Sequence, residues 1–262
     1  MKIALAQLIC KLGDVESNIA SMERLARLAH ADGADVVVFP EMADTGYQMD
    51  AIVRAAGGAD GLARRRLGAL AKSLSMWVIA GLSLRERDTI YNTAVVFDRH
   101  GEVQAEYRKI HLFSGLPDPE HRVMTAGSEH CVFDLEGVPT GLMICYDLRF
   151  PELARALTLA GAEMLIIPAA WPEVRVAHWN ALLIARAIEN QLFVVGVNRG
   201  GNDGTHPHGG YSVAIDPMGT IIYLNSSSEE FLYVANLDCK MVQDVRQRLK
   251  FLGDRRPELY RS

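Results

Sequence analysis

Two hydrophobic periods take turns along this chain. Residues 3–9 alternate as a strand does, and residues 18–31 then carry Ile19, Met22, Leu25, Leu28 and Ala29 on one helical face. The β-branched run from Asp35 to Phe39 predicts a buried strand that Pro40 ends. A second helix is predicted over 62–74, followed by strands at 76–83 and 91–98 joined through the charged turn Arg85 to Asp88, and by a short alternating strand from Val103. Residues 131–135 and 140–144 form a further pair around Gly137. A helix over 151–160 follows, opened by Pro151, and 163–168 is another buried strand. The helix predicted over 178–190 has apolar residues (Leu182, Leu183, Ala185, Ala187, Ile188) on more than one face, and strands at 193–197, 211–215, 220–224 and 231–237 close the series. No repeat, low-complexity segment or linker interrupts the alternation. One domain is expected over 1–262, with the polar, basic stretch 242–262 as a C-terminal tail. So many buried strands in one α/β domain are accommodated by two sheets, each covered on one side by helices.

Composition narrows the function classes. At 262 residues and 49% hydrophobic content the chain can bury a large core. A net charge of −5 gives no field that would attract nucleic acid, and the cluster Arg64 to Arg66 is expected to be the solvated face of a helix. No stretch approaches the roughly 18 consecutive apolar residues of a membrane span. The N-terminal apolar run is too short for a secretory signal. Cys10, Cys131, Cys145 and Cys239 show neither a CxxC pair nor zinc-ligand spacing, so a reduced, cytoplasmic setting is the default.

Three strand ends carry chemistry-bearing residues. Cys145 lies where the apolar run Gly141 to Ile144 turns into a helix start; unpaired N–H groups and the positive helix end there are expected to favour its thiolate. A small buried core residue is the alternative. Glu41 emerges behind Pro40 at the carboxyl end of a buried strand, the edge where open α/β sheets place ligands, although a carboxylate there can equally cap a turn. Lys109 ends the alternating strand and is followed by apolar residues, which draws its ammonium toward the core; surface duty is the alternative.

The segments Phe39-Pro-Glu41, Tyr107-Arg-Lys109-Ile-His-Leu-Phe113 and Ile144-Cys145-Tyr-Asp-Leu-Arg-Phe-Pro-Glu152 occur in this order. In them the chain resembles the carbon–nitrogen hydrolase (nitrilase) superfamily, and the resemblance runs from Ile3 to Tyr260. It implies a four-layer α-β-β-α sandwich and a homodimer, with Glu41 as general base, Lys109 as oxyanion stabiliser and Cys145 as nucleophile. It also implies a second glutamate beside the lysine, matched to Glu120 by counting back from Gly127. Cys145 would form a thioester, the oxyanion being met by Lys109 and the backbone N–H of Tyr146, with no metal, nucleotide or organic cofactor. Iodoacetamide is expected to modify Cys145 ahead of the other three cysteines near neutral pH.

The run Trp171 to Trp179 and Ala185 to Gln191 look like the ω-amidase-type branch, whose members hydrolyse the terminal amide of small dicarboxylic acid monoamides. Tyr47, Tyr146 and Trp171 are expected to wall the acyl pocket. Arg175, with Arg199 behind it, is the expected cation for a distal carboxylate, since a guanidinium binds one through two parallel hydrogen bonds. Nitrile or N-carbamoyl substrates, and a catalytically silent interaction module, remain alternatives. Among the histidines His111 is the expected hydrogen-bonding neighbour of the lysine segment; nothing places His121, His178, His206 or His208 beside Cys145. The segment Ser114 to Pro119, with two prolines, is expected to shape one pocket wall, and Gly200 to Gly204 to form a loop near its mouth.

Overall fold

The sandwich implied by the sequence is the fold. A computed structural model describes residues 1–115, 119–202 and 207–260. The prolines between Ser114 and Pro119, Asp203 and Gly204 of the glycine-rich loop, and His206 therefore fall wholly or partly outside the described residues.

The first sheet consists of β1 (Lys2–Gln7), β2 (Val36–Val38), β3 (Trp77–Glu86), β4 (Thr89–Phe97), β5 (Val103–Arg108) and β12 (Phe231–Asn236), in the order β12-β1-β2-β3-β4-β5. The second consists of β6 (Val132–Leu135), β7 (Val138–Leu142), β8 (Met164–Ala169), β9 (Phe193–Asn198), β10 (Val213–Ile215) and β11 (Ile221–Leu224), in the order β11-β10-β9-β8-β7-β6. Both sheets share one plan: three parallel strands at the centre, flanked by antiparallel ones. Helices α1 (Val15–Ala31) and α3 (Leu62–Leu74) cover the first sheet, and α4 (Pro151–Leu159) and α5 (Val176–Asn190) the second.

The two-residue period of β1 shows why the layers form. Ile3 and Leu5 face the second sheet and join a core with Leu142, Ile144 and Ile166. Ala4 and Ala6 face the other way, and their small side chains let Ile19, Met22 and Ala26 of α1 lie close against the strand. Leu28, expected on that helical face, is about half exposed instead. The arginines of α3 are paired and not merely solvated: Arg66 holds Glu23 of α1 through two bonds of 2.8 and 2.7 Å, and Arg64 pairs with Glu106 of β5.

Two helices escape the periodicity. α2 (Met49–Ala55) is only seven residues long, and α6 (Met241–Arg248) begins one residue before the stretch expected to be a tail and occupies its start. Its Val242 and Val245 are buried, and Arg246 donates to the carbonyls of Ala162, Asn190 and Gln191. The start of the expected tail is therefore anchored to its own chain, because two valines three apart suffice to dock one face of a charged helix. Among the described residues no helix is long and apolar enough to cross a membrane.

Candidate active site

The carboxyl ends of β2, β5, β7 and β8 meet at one edge of the sandwich, between the sheets. Glu41 follows β2, Lys109 follows β5, Cys145 lies beyond β7, and Ala170 and Trp171 follow β8. The backbone is bent sharply at two of these exits: Met42 has φ +50° and Cys145 φ +45°, left-handed values that cost a non-glycine residue about 1–3 kcal/mol. Packing of both sheets holds the strain. Gly81 of β3 makes the first bend possible, because a Cβ there would stand 2.5 Å from the Glu41 Cα and the Pro40 oxygen. Asp44 completes the turn by accepting from the N–H and hydroxyl of Ser83 at 3.0 Å; burial pushes its carboxyl up to about 6.

Lys109, Glu41 and Glu120 form one buried cluster. The Lys109 Nζ donates to Glu41 Oε1 at 2.7 Å and to Glu120 Oε1 at 2.8 Å, with all three side chains sealed from solvent. Burial pulls the ammonium down, but the Glu120 and Glu41 carboxylates outweigh it and hold Lys109 well above the ordinary lysine range. Glu120 is held by Tyr47 Oη at 2.9 Å and the Phe113 N–H at 2.7 Å. Burial raises its carboxyl above the ordinary carboxylate range; Lys109 opposes this and the Glu41 charge adds to it. The other oxygen of Glu41 accepts the Ala170 N–H at 2.8 Å, which ties the first sheet to the second.

Asn92 was not anticipated from the sequence. Its Nδ2 donates to Glu41 Oε1 at 2.7 Å and to Glu120 Oε1 at 3.1 Å, so one uncharged amide bridges both carboxylates alongside the lysine. The available signal was an amide side chain in the middle of strand β4, just before its apolar run Ala94 to Phe97.

Cys145 is buried, and the expectation of a resting thiolate is corrected. Burial and then the Glu41 charge push the thiol well above its ordinary range; Lys109 opposes them and does not prevail. The helix end offers only local dipoles, which do not outweigh burial and the Glu41 charge. The balance of these influences at Cys145 favours the thiol. Priority over the other cysteines in alkylation therefore does not follow from its acidity.

A cavity of about 170 Å³ opens onto Cys145, walled by Tyr47, Phe113, Tyr146, Ala170 and Trp171, with Arg149 and Arg175 at one side. The three aromatic residues expected as walls are all present. Arg199 is not: it is fully buried and donates to the Cys10 carbonyl at 3.2 Å, away from this wall. Arg149, four residues after Cys145, was not anticipated. Its guanidinium lies 4.5 Å from the centre of the Trp171 ring, and its Nη1 is 3.4 Å from His178 Nδ1. Partial burial and then neighbouring Arg175 pull it below the ordinary arginine range. Arg175 packs over the Phe113 ring at 5.6 Å. No carboxylate among the described residues pairs with either arginine. His111 bonds to Asp147, and no described histidine bonds to Cys145. No group of His, Cys, Asp or Glu among the described residues is arranged to hold a metal.

A strand-end cysteine backed by a buried lysine between two glutamates defines a cysteine hydrolase of carbon–nitrogen bonds. The carbon–nitrogen hydrolase model matches residues 2–247, and the chain belongs to that family. It is a hydrolase of non-peptide carbon–nitrogen bonds, an amidase that depends on a cysteine. A 2-oxoglutaramate amidase of Bacillus subtilis is 40% identical over 228 residues, covering 87% of each chain. Omega-amidase NIT2 of Mus musculus is 31% identical across 99% of this chain and 96% of its own. Among solved structures, a glutamate-to-glutamine variant of the amidase from Nesterenkonia sp. AN1 superposes with TM-score 0.88 at 28% identity, over 99% of this chain and 95% of that one. It carries the acetamide moiety of fluoroacetamide on its active-site cysteine.

Proposed function

We propose that this protein hydrolyses the terminal amide of a small dicarboxylic acid monoamide, of the 2-oxoglutaramate or succinamate kind, to the diacid and ammonia. The observation that carries the substrate class is the cavity: Cys145 at one side and Arg149 and Arg175 at another, with no carboxylate among the described residues pairing with either guanidinium. At about 170 Å³ the space suits a molecule of few heavy atoms, and two cations suit a carboxylate at its far end.

The chemistry follows from the cluster. Cys145 Sγ attacks the amide carbon as its proton passes to Glu41. Two of the three N–H bonds of Lys109 are taken by Glu41 and Glu120, which leaves the third for the oxyanion, together with the Tyr146 N–H. Collapse of the tetrahedral intermediate expels the amine, which takes the proton from Glu41 and leaves as ammonia. The acyl group remains on sulfur as a thioester. Glu41 then takes a proton from water, whose oxygen attacks the thioester; the acid departs and the thiol is restored. Glu120, Tyr47 and Asn92 orient the lysine and Glu41 throughout.

Arg149→Met and Arg175→Met test the substrate class. Each is expected to lower kcat/KM for succinamate by about 10- to 100-fold, the worth of a charged hydrogen bond, and to lower that for butyramide far less. Equal losses on both amides in steady-state assays would remove the carboxylate clamp and leave the amidase.

The four free cysteines support a reducing, cytoplasmic compartment. Leu159 of α4 and Ile188 of α5, both about half exposed on the outer helical layer, support a homodimer through that layer. In it the residues beyond α6 would reach toward the partner. Sedimentation velocity should show a dimer at micromolar protein, and a monomer there would overturn this assembly.

A further inference from the structure

Lys109 comes from the first sheet and Cys145 from the second, so their relative position depends on whatever joins the two segments. One buried carboxylate does so. Asp147, fully inaccessible, accepts four hydrogen bonds: from the Ile144 N–H at 2.9 Å and Tyr107 Oη at 2.7 Å on Oδ2, and from the N–H of His111 at 3.0 Å and its Nδ1 at 2.8 Å on Oδ1. Tyr107 Oη in turn accepts the Ile110 N–H at 3.3 Å. Tyr107 and His111, on either side of Lys109, thus end on the same group that holds the N–H of Ile144, the residue immediately before Cys145. The His111 ring also stacks on Phe150 at 3.7 Å between centroids, which adds a second contact between the two segments.

We infer that Asp147 is a positioning residue for the reaction: it clamps the lysine segment to the strained cysteine turn and so fixes where the third N–H of Lys109 points relative to Cys145 Sγ. The inference rests on the amidase reading for its assay. It touches neither substrate nor the reacting atoms, so its removal should be felt in kcat and hardly in KM. A misplacement on the order of 1 Å between such groups costs about a hundredfold in rate.

The test uses the full chain with Asp147→Ala, Asp147→Asn, Tyr107→Phe and His111→Phe, the last of which keeps the stacked ring. Asp147→Ala should lower kcat for succinamate about a hundredfold with KM within about twofold. Asp147→Asn should fall between it and wild type, because its amide oxygen still accepts while its NH2 group faces the donors of His111. Tyr107→Phe and His111→Phe should each cost about tenfold, and Tyr107→Phe should cost little more once Asp147 is alanine. The iodoacetamide alkylation rate of Cys145, read by intact mass, should fall in the same order. Unchanged kcat in a folded variant, or kcat and KM worsening together with strictly additive losses, would overturn the inference. Should Asp147→Ala not fold, the tyrosine and histidine variants decide on the same criteria. Should the wild type release ammonia from no amide, the amidase reading falls while the alkylation series still decides the role of Asp147.

Discussion

Lys109→Met is expected to lower kcat by about 10²- to 10³-fold, the measured range for deleting a single oxyanion donor, and to lower stability as well. The second effect arises because Lys109 is the only cation bonded to either Glu41 or Glu120 in the described site. Without it two buried carboxylates share Asn92 as their bridge. Breaking a buried ion pair from one side typically costs about 3–5 kcal/mol. One glutamate should respond by holding a proton at neutral pH, which would also deprive Cys145 of a full-strength base. Urea midpoints together with kcat on succinamate would reveal both effects. A Lys109→Met protein as stable and as active as wild type would contradict the assignment.

Glu41→Gln should separate turnover from thiol reactivity. Loss of the proton acceptor is expected to reduce amide hydrolysis by about 10²- to 10⁴-fold, the range for general acid–base catalysis. Yet the Glu41 charge is, after burial, the largest influence raising the Cys145 thiol. Its removal lowers the thiol, so more thiolate is present at any given pH. The rate of simple alkylation by iodoacetamide should therefore rise with pH from a lower onset than in wild type, where the Glu41 charge helps to hold the thiol up. The adduct on the cysteine of the glutamine variant of the Nesterenkonia amidase shows that a related site remains open to an electrophile without its glutamate. Alkylation that falls in parallel with turnover at every pH would mean that Glu41 does not set the thiol as argued.

The parts of the site legible in the sequence are those that sit at strand ends. Glu41 behind Pro40, Lys109 after an alternating strand and Cys145 after an apolar one each stand where a local pattern breaks, and local patterns are what a sequence displays. Asn92 and Asp147 were not legible, because their roles depend on which side chains the opposite strand or sheet brings to them. Ala170 was invisible for a different reason: it acts through a backbone N–H that any residue could supply. Arg149 was present within the cysteine motif, but only the fold shows that it shares a wall with Arg175. The resting state of Cys145 was misjudged because it is a sum over charges from both sheets. In the fold, α2 and α6 were missed since one is short and the other buries only Val242 and Val245 from a charged face.

Ammonia release tests the central claim most directly. Succinamate, 2-oxoglutaramate, glutaramate, glutamine, propionamide, an N-carbamoyl amino acid and a nitrile would be offered to the wild type and to Cys145→Ala. Turnover concentrated on the three monoamides and abolished in Cys145→Ala is the predicted result. Turnover that survives in Cys145→Ala, or that is confined to the nitrile or the N-carbamoyl compound, would contradict it.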